Sequence, residues 1–179
     1  MFDHKIIVTG PVGAGKSTAI RTYSTSQVVE TDILASDQTQ TMKEATTVAM
    51  DYGTIVLDAE TKVHLYGTPG QERFDFMWEI LSKGSRGVII VLNASARNPL
   101  QDLRFYLHAF ADVLDRVPLV IGVNKISMEQ KESDFIEKLQ QAAMAFGSDA
   151  DVLAVDIRKR KDMNKLVKRI LFSDKLFAK

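Results

Sequence analysis

The chain has 179 residues, enough for one sizeable core and too few for two ordinary domains. Its 23 basic and 23 acidic residues cancel, so no bulk positive field points to nucleic acid, and 45% hydrophobic with 26% charged content is normal for a globular domain. Cysteine is absent, which excludes disulfides, thiolate chemistry, prenylation and palmitoylation, and Phe2 excludes N-myristoylation. Met1–Lys5 lacks signal-peptide character and no apolar run approaches membrane-spanning length. The expectation is a cytoplasmic chain that reaches its site of action through protein partners or weak surface contacts.

Lys5 to Thr9, with Ile6-Ile7-Val8, reads as a first buried strand. Ser17 to Ser24 can form a helix. Gln27 to Thr46 is rich in Thr, Ser and Gln with weak periodicity, and reads as a long connection. Met50 to Leu57 and Lys62 to Tyr66 read as strands joined by Asp58-Ala59-Glu60-Thr61, short enough for an antiparallel hairpin. Phe74 to Ser82 has helical spacing, and Gly87 to Leu92 is a nearly continuous apolar strand. Leu100, Leu103, Leu107, Phe110, Val113 and Leu114 mark one face of a single helix. Val117 to Val123 is the next buried strand. Phe135, Ile136, Leu139, Ala142, Ala143 and Phe146 mark another helix, stopped at Gly147. Asp151 to Val155 is a last strand, and Met163, Leu166, Val167, Ile170 and Leu171 mark the terminal helix.

Apolar strands alternating with amphipathic helices predict an α/β fold: a mostly parallel six-stranded sheet, one antiparallel edge strand, and helices on both faces. No repeat or interdomain linker is evident, so residues 1–179 read as one domain, with a basic terminal helix and short tail. Ligands of such sheets gather beyond the carboxyl ends of the strands. Gly10, Gly67, Asn124 and Asp156 all fall there, and can converge on one crevice.

Residues 10–17, Gly-Pro-Val-Gly-Ala-Gly-Lys-Ser, form a complete phosphate-binding pattern in the strand–loop–helix context it requires. Gly10, Gly13 and Gly15 let the backbone curl around phosphate oxygens, and the N-terminus of the following helix adds a favourable field. Lys16 puts a positive charge at the β- and γ-phosphates, and Ser17 offers a hydroxyl to Mg2+. Pro11, Val12, Ala14 and Thr18 complete the expected nucleotide contacts.

With Gly67-Thr68-Pro69-Gly70-Gln71-Glu72-Arg73-Phe74 and Asn124-Lys125-Ile126-Ser127 added, the chain resembles the Ras-like small GTPases over nearly its whole length. Within them it is similar to the bacterial gliding-motility GTPases of the MglA type. The resemblance implies a P-loop NTPase of Ras-like fold that binds GTP or GDP with Mg2+. It implies that Thr47 senses the γ-phosphate and joins Ser17 at the metal, and that Gly70 and Gln71 sense the phosphate from the other side. Gln71 would orient the attacking water, with Lys16, Thr47 and Gly70 completing the catalytic set. Asn124 would brace the base loop against the phosphate loop, with the Lys125 stem over the base. Asp156-Ile157-Arg158 stands where the family has its base-supporting turn. Partners would meet the switch segments, a roadblock-type regulator among them.

Two positions depart from the pattern. Gly67 has no carboxylate for the magnesium shell. Ser127 replaces the carboxylate that accepts two guanine hydrogen bonds, and a neutral acceptor is weaker than a charged one. Asp156 offers a carboxylate that either contacts the base, braces Lys125, or caps the last helix. The leading expectation is a slow, Mg-dependent GTPase switch. A nonhydrolytic nucleotide-dependent scaffold and a small-molecule or nucleoside kinase are the rivals, although no arginine-bearing lid segment is evident. His4, His64 and His108 lack zinc-site spacing. Trp78 reads as core packing before partner anchoring. The cations from Arg158 to Lys179 read first as a solvated helix face, and second as a docking surface for an acidic partner or anionic membrane.

Overall fold

The computed structural model describes residues 2–25, 29–34, 47–70 and 75–173. Strand β1 (Phe2–Thr9) leads through the phosphate loop into α1 (Lys16–Tyr23). β2 (Val29–Leu34), β3 (Thr47–Val56) and β4 (Thr61–Gly67) follow, then α2 (Asp75–Ser82) and β5 (Gly87–Asn93). The remainder is α3 (Pro99–Ala109), α4 (Ala111–Leu114), β6 (Leu119–Asn124), α5 (Met128–Glu132), α6 (Phe135–Ala145), β7 (Asp151–Ala154) and α7 (Arg160–Leu171).

The strands form one sheet in the order β2-β3-β4-β1-β5-β6-β7. β4, β1, β5, β6 and β7 run parallel to one another, whereas β3 is antiparallel to both β4 and β2. The mostly parallel sheet with an early hairpin is as the sequence predicts, and Asp58 stabilises that hairpin by accepting from the Glu60 and Thr61 amides. The seventh strand is β2. It lies inside the stretch read as a connection, because Val29-Glu30-Thr31-Asp32-Ile33-Leu34 carries too little apolar patterning for an edge strand to announce itself. β3 is therefore flanked on both sides, and β2 forms the edge.

Alternate residues of β5 split between two apolar layers. Val88, Ile90 and Leu92 face Leu103, Leu107, Phe110 and Leu139 of the α2, α3 and α6 side. Ile89 and Val91 face Ile20, Met163, Leu166 and Ile170 of α1 and α7. This two-faced burial is why the strand reads as continuously apolar. The helix expected over Leu100–Leu114 is broken at Phe110, whose φ of −106° and ψ of 10° leave the helical region. α5 was not anticipated; Ser127 starts it with a capping box, accepting from the Gln130 amide while Gln130 Oε1 accepts from the Ser127 amide. Among the described residues, no helix is long and apolar enough to cross a membrane.

Candidate functional site

The phosphate loop leaves β1 with φ of 138°, 77° and 104° at Gly10, Gly13 and Gly15, conformations that side chains rarely adopt. A turn bond from the Ala14 amide to the Pro11 carbonyl, 3.2 Å, closes it. Lys16, the first residue of α1, is buried and folds back over the loop. Its ammonium donates to the Gly10 carbonyl at 2.7 Å and the Pro11 carbonyl at 2.9 Å. Burial pushes its pKa down to about 8, against the opposing pull of the Asp51 carboxylate. Val12 is exposed at the loop's tip.

Asp51 is the functional candidate that sequence reasoning missed. The Ser17 hydroxyl donates to its Oδ2 across from β3. The position that lacks a carboxylate, Gly67 at the end of β4, lies beside it: a β-carbon there would stand 3.2 Å from Asp51 Cβ and 2.8 Å from Ile20 Cδ1. The bare Gly67 thus leaves room for an acid arriving from the neighbouring strand. The available signal was an aspartate inside an otherwise apolar and aromatic strand, where Asp is depleted.

The segment after β4 closes over the loop. The Thr68 amide continues the ladder by donating to the Val8 carbonyl at 3.0 Å, and its hydroxyl donates to Thr9 Oγ1 at 2.8 Å. Gly70 lies so near the loop that a β-carbon would stand 2.6 Å from Lys16 Nζ and 2.8 Å from the Val12 nitrogen. Two aromatic side chains hold this segment from behind. Trp78 Nε1 donates to the Pro69 carbonyl at 3.1 Å, and the Tyr106 hydroxyl donates to the Gly70 carbonyl at 3.3 Å. Trp78 is buried against Phe105, Tyr106 and Phe110, which accords with its reading as a packing residue. Gln71 lies outside the described residues. Thr47 is the first residue of β3, paired with Leu34.

On the other side, buried Asn124 donates from Nδ2 to the Ala14 carbonyl at 3.0 Å. Lys125 adopts φ 59°, unusual for a residue with a side chain, and its ammonium donates to the Gly13 carbonyl at 3.0 Å. Ile157 packs against Gly15, where a β-carbon would stand 2.3 Å from its Cδ1. A cavity of about 730 Å3 results, lined by Gly13, Gly15, Lys16, Thr18, Asn124, Lys125, Asp156 and Ile157 among the sequence-selected residues. Ile126, Lys131, Ala154, Val155, Arg158, Lys159 and Asp162 complete its wall. Ser127 is not part of that wall; its hydroxyl caps α5. Asp156 does not cap α7, whose N-cap is Lys159. Its carboxylate grips Arg158 instead, accepting from Nε at 2.8 Å, Nη2 at 2.9 Å and the Arg158 amide at 3.1 Å. Those bonds hold its pKa down to about 2.

A family described as conserved hypothetical ATP binding protein matches residues 22–177, nearly all of the chain beyond the phosphate loop. The chain belongs to this family. The match begins after the phosphate loop. The chain is also 33% identical over 91 residues to an uncharacterized protein of Methanocaldococcus jannaschii, covering 51% of each. It is 28% identical over 144 residues to Ras-related protein Rab-18-B of Danio rerio, covering 77% of this chain and 64% of the relative. Ras-related protein Rab-11B of Dictyostelium discoideum is 25% identical over 157 residues, 85% and 66%. These similarities support a Ras-like superfamily. The chain spans between half and two thirds of the length of these curated relatives.

Proposed function

We propose that this chain is a nucleotide-dependent switch that binds GTP with Mg2+ and hydrolyses it to GDP and phosphate. The observation carrying this reading is the placement of Gly70 against Lys16 and Val12, on a phosphate loop that Asn124 ties to the base side of the same cavity. A segment that touches the loop there is placed to respond to a terminal phosphate, which supports the reading as a switch.

The residues present fit a magnesium ion. Mg2+ takes one or two protein oxygens besides water and phosphate oxygens, and Ser17 with Asp51 is such a pair. Thr47 is a further candidate from the family resemblance. When bound, the ion would supply charge neutralisation and an orienting template for the phosphates. Lys16 and the loop amides would stabilise negative charge developing on the phosphoryl oxygens. Water would add to the γ-phosphorus as its bond to the bridging oxygen breaks, with Gln71 orienting that water. Partner recruitment in the triphosphate state, through a roadblock-type protein or another, is the expected output, and kinship with the gliding-motility GTPases rests on the motifs alone. Guanine is favoured by the similarity to Ras-related proteins; an adenine nucleotide is the second reading, favoured by the family's description.

The test is the nucleotide retained by gently purified protein, followed by multiple-turnover phosphate release from GTP and ATP. Retained GTP or GDP with GTP turnover is expected, and single-turnover release should slow at least about tenfold in Gln71→Leu. Retained ATP would overturn the guanine assignment, and binding without turnover would replace the switch by a nonhydrolytic scaffold.

A further inference from the structure

The base side of the cavity is rich in donors, and both carboxylates in its wall already accept hydrogen bonds from protein donors. Two carboxylates line it. Asp156 accepts three hydrogen bonds from Arg158, with Lys159 Nζ 3.8 Å from its Oδ2. Asp162 accepts from the Asp156 amide at 3.0 Å and from Lys165 Nζ at 3.0 Å. The amide side chain in the wall, Asn124, is turned to the phosphate loop, its Nδ2 donating to the Ala14 carbonyl. Donors are in surplus. Arg158 binds Asp156 through Nε and Nη2, which leaves Nη1 over, and Lys131 stands in the same wall.

From this polarity we infer that the site selects a 6-oxopurine by its acceptor edge and does not read a 2-amino group; the inference rests on the cavity being the nucleotide site proposed above. A base presenting O6 and N7 meets arginine and lysine donors, the pairing in which guanidinium and ammonium groups are most effective. Adenine presents an N6 amino group to those same donors and is disfavoured. Among the described residues, the N1–H and 2-amino donors of guanine find no carboxylate without a protein partner. Hypoxanthine has the same O6 and N7 acceptors and lacks the 2-amino group, so it is bound as well as guanine. Xanthine carries an extra oxygen in place of the amino group and is also accepted. Arg158 is the specificity-determining residue: it both supplies donors and occupies Asp156.

Calorimetric titration of the whole chain with GDP, IDP, XDP and ADP in Mg2+ tests this. GDP and IDP should agree within about threefold, XDP should bind no more weakly than GDP, and ADP should bind at least about tenfold more weakly. In Arg158→Ala, an exposed position, the freed Asp156 should create a preference for GDP over IDP and narrow the gap to ADP. Parent protein that prefers GDP to IDP by tenfold or more would overturn the inference while leaving the nucleotide site intact, and so would equal binding of ADP. An Arg158→Ala profile identical to the parent's would remove Arg158 from that role. Loss of measurable affinity for all four diphosphates would overturn this inference and the nucleotide-site reading together.

Discussion

Asp51→Asn separates a metal-linked carboxylate from a merely structural one. Asp51 accepts the Ser17 hydroxyl hydrogen bond and lies close enough to Lys16 to oppose the effect of burial on its pKa. A hydrogen bond to a charged group contributes about 1.5–3 kcal/mol, so removing the charge while keeping the shape should cost roughly tenfold to a hundredfold in any equilibrium that uses it. If the carboxylate helps to hold Mg2+, that loss belongs to the magnesium-dependent part of nucleotide affinity. The assay is GDP affinity by calorimetry with Mg2+ and again with EDTA, in parent and variant, beside thermal melts of both. The ratio of the two affinities should shrink by that factor in Asp51→Asn, and the EDTA value should change by no more than a few-fold. An unchanged ratio would refute the reasoning. An equal loss in both conditions is one way to that result, and it would mean that Asp51 only positions Ser17.

Three further outcomes follow from the same geometry. Lys16→Ala should lower triphosphate affinity by at least about a hundredfold while the chain still melts cooperatively, and unchanged affinity in calorimetry would exclude its placement at the phosphates. Lys16 has a pKa near 8 in the free protein, so at that pH half the molecules must gain a proton before the ammonium can face phosphate. Triphosphate binding should therefore take up about half a proton at pH 8, less below and more above, with affinity falling as pH rises through 8; calorimetry in buffers of differing ionisation enthalpy measures it, and zero uptake between about pH 7 and 9 would contradict it. Gly70→Ala should reduce phosphate release at least about tenfold, since its methyl group would stand 2.6 Å from Lys16 Nζ and 2.8 Å from the Val12 nitrogen; parental turnover would show that the segment is free to lift without consequence.

Much of this was legible because the signals are local. The phosphate loop is one contiguous pattern between an apolar strand and a helix, and the apolar runs at Ile6-Ile7-Val8 and Val88–Leu92 follow from strands covered on both faces. Asn124, Lys125, Asp156 and Ile157 were readable as strand-end residues of such a sheet, and they do line one cavity with the loop. What escaped depends on pairing across distance. Asp51 reaches Ser17 only because β3 pairs with β4 and Gly67 leaves room, information that lies in register and not in spacing. The fate of Ser127 and Asp156 was hidden for a related reason. Their oxygens have local competitors, the Gln130 amide and the Arg158 guanidinium, and short polar side chains commonly bond to such near neighbours.

The two sides of the phosphate loop are held in physically different ways, and this bears on which can move. The base side is fastened by a buried amide, by side-chain packing and by a left-handed backbone turn. Asn124 is buried with its amide on the Ala14 carbonyl, Ile157 fills the space at Gly15, and Lys125 endures a left-handed backbone while its ammonium reaches Gly13. A strained residue of this kind persists only where its surroundings over-determine it. The Gly70 side is tethered by two hydrogen bonds from aromatic side chains, at 3.1 and 3.3 Å, whose rings are packed independently of the segment they hold. Trp78 is stacked on Phe110 apart from its bond to Pro69. A neutral hydrogen bond contributes about 0.5–1.5 kcal/mol. Two of them oppose movement by an amount that phosphate contacts to the loop could match. On the proposed reading, this asymmetry suits a state that depends on phosphate count and not on the base. The sole tryptophan of the chain stands at the Gly70 side, so its emission should differ between triphosphate- and diphosphate-bound protein and stay constant among bases carrying the same phosphates.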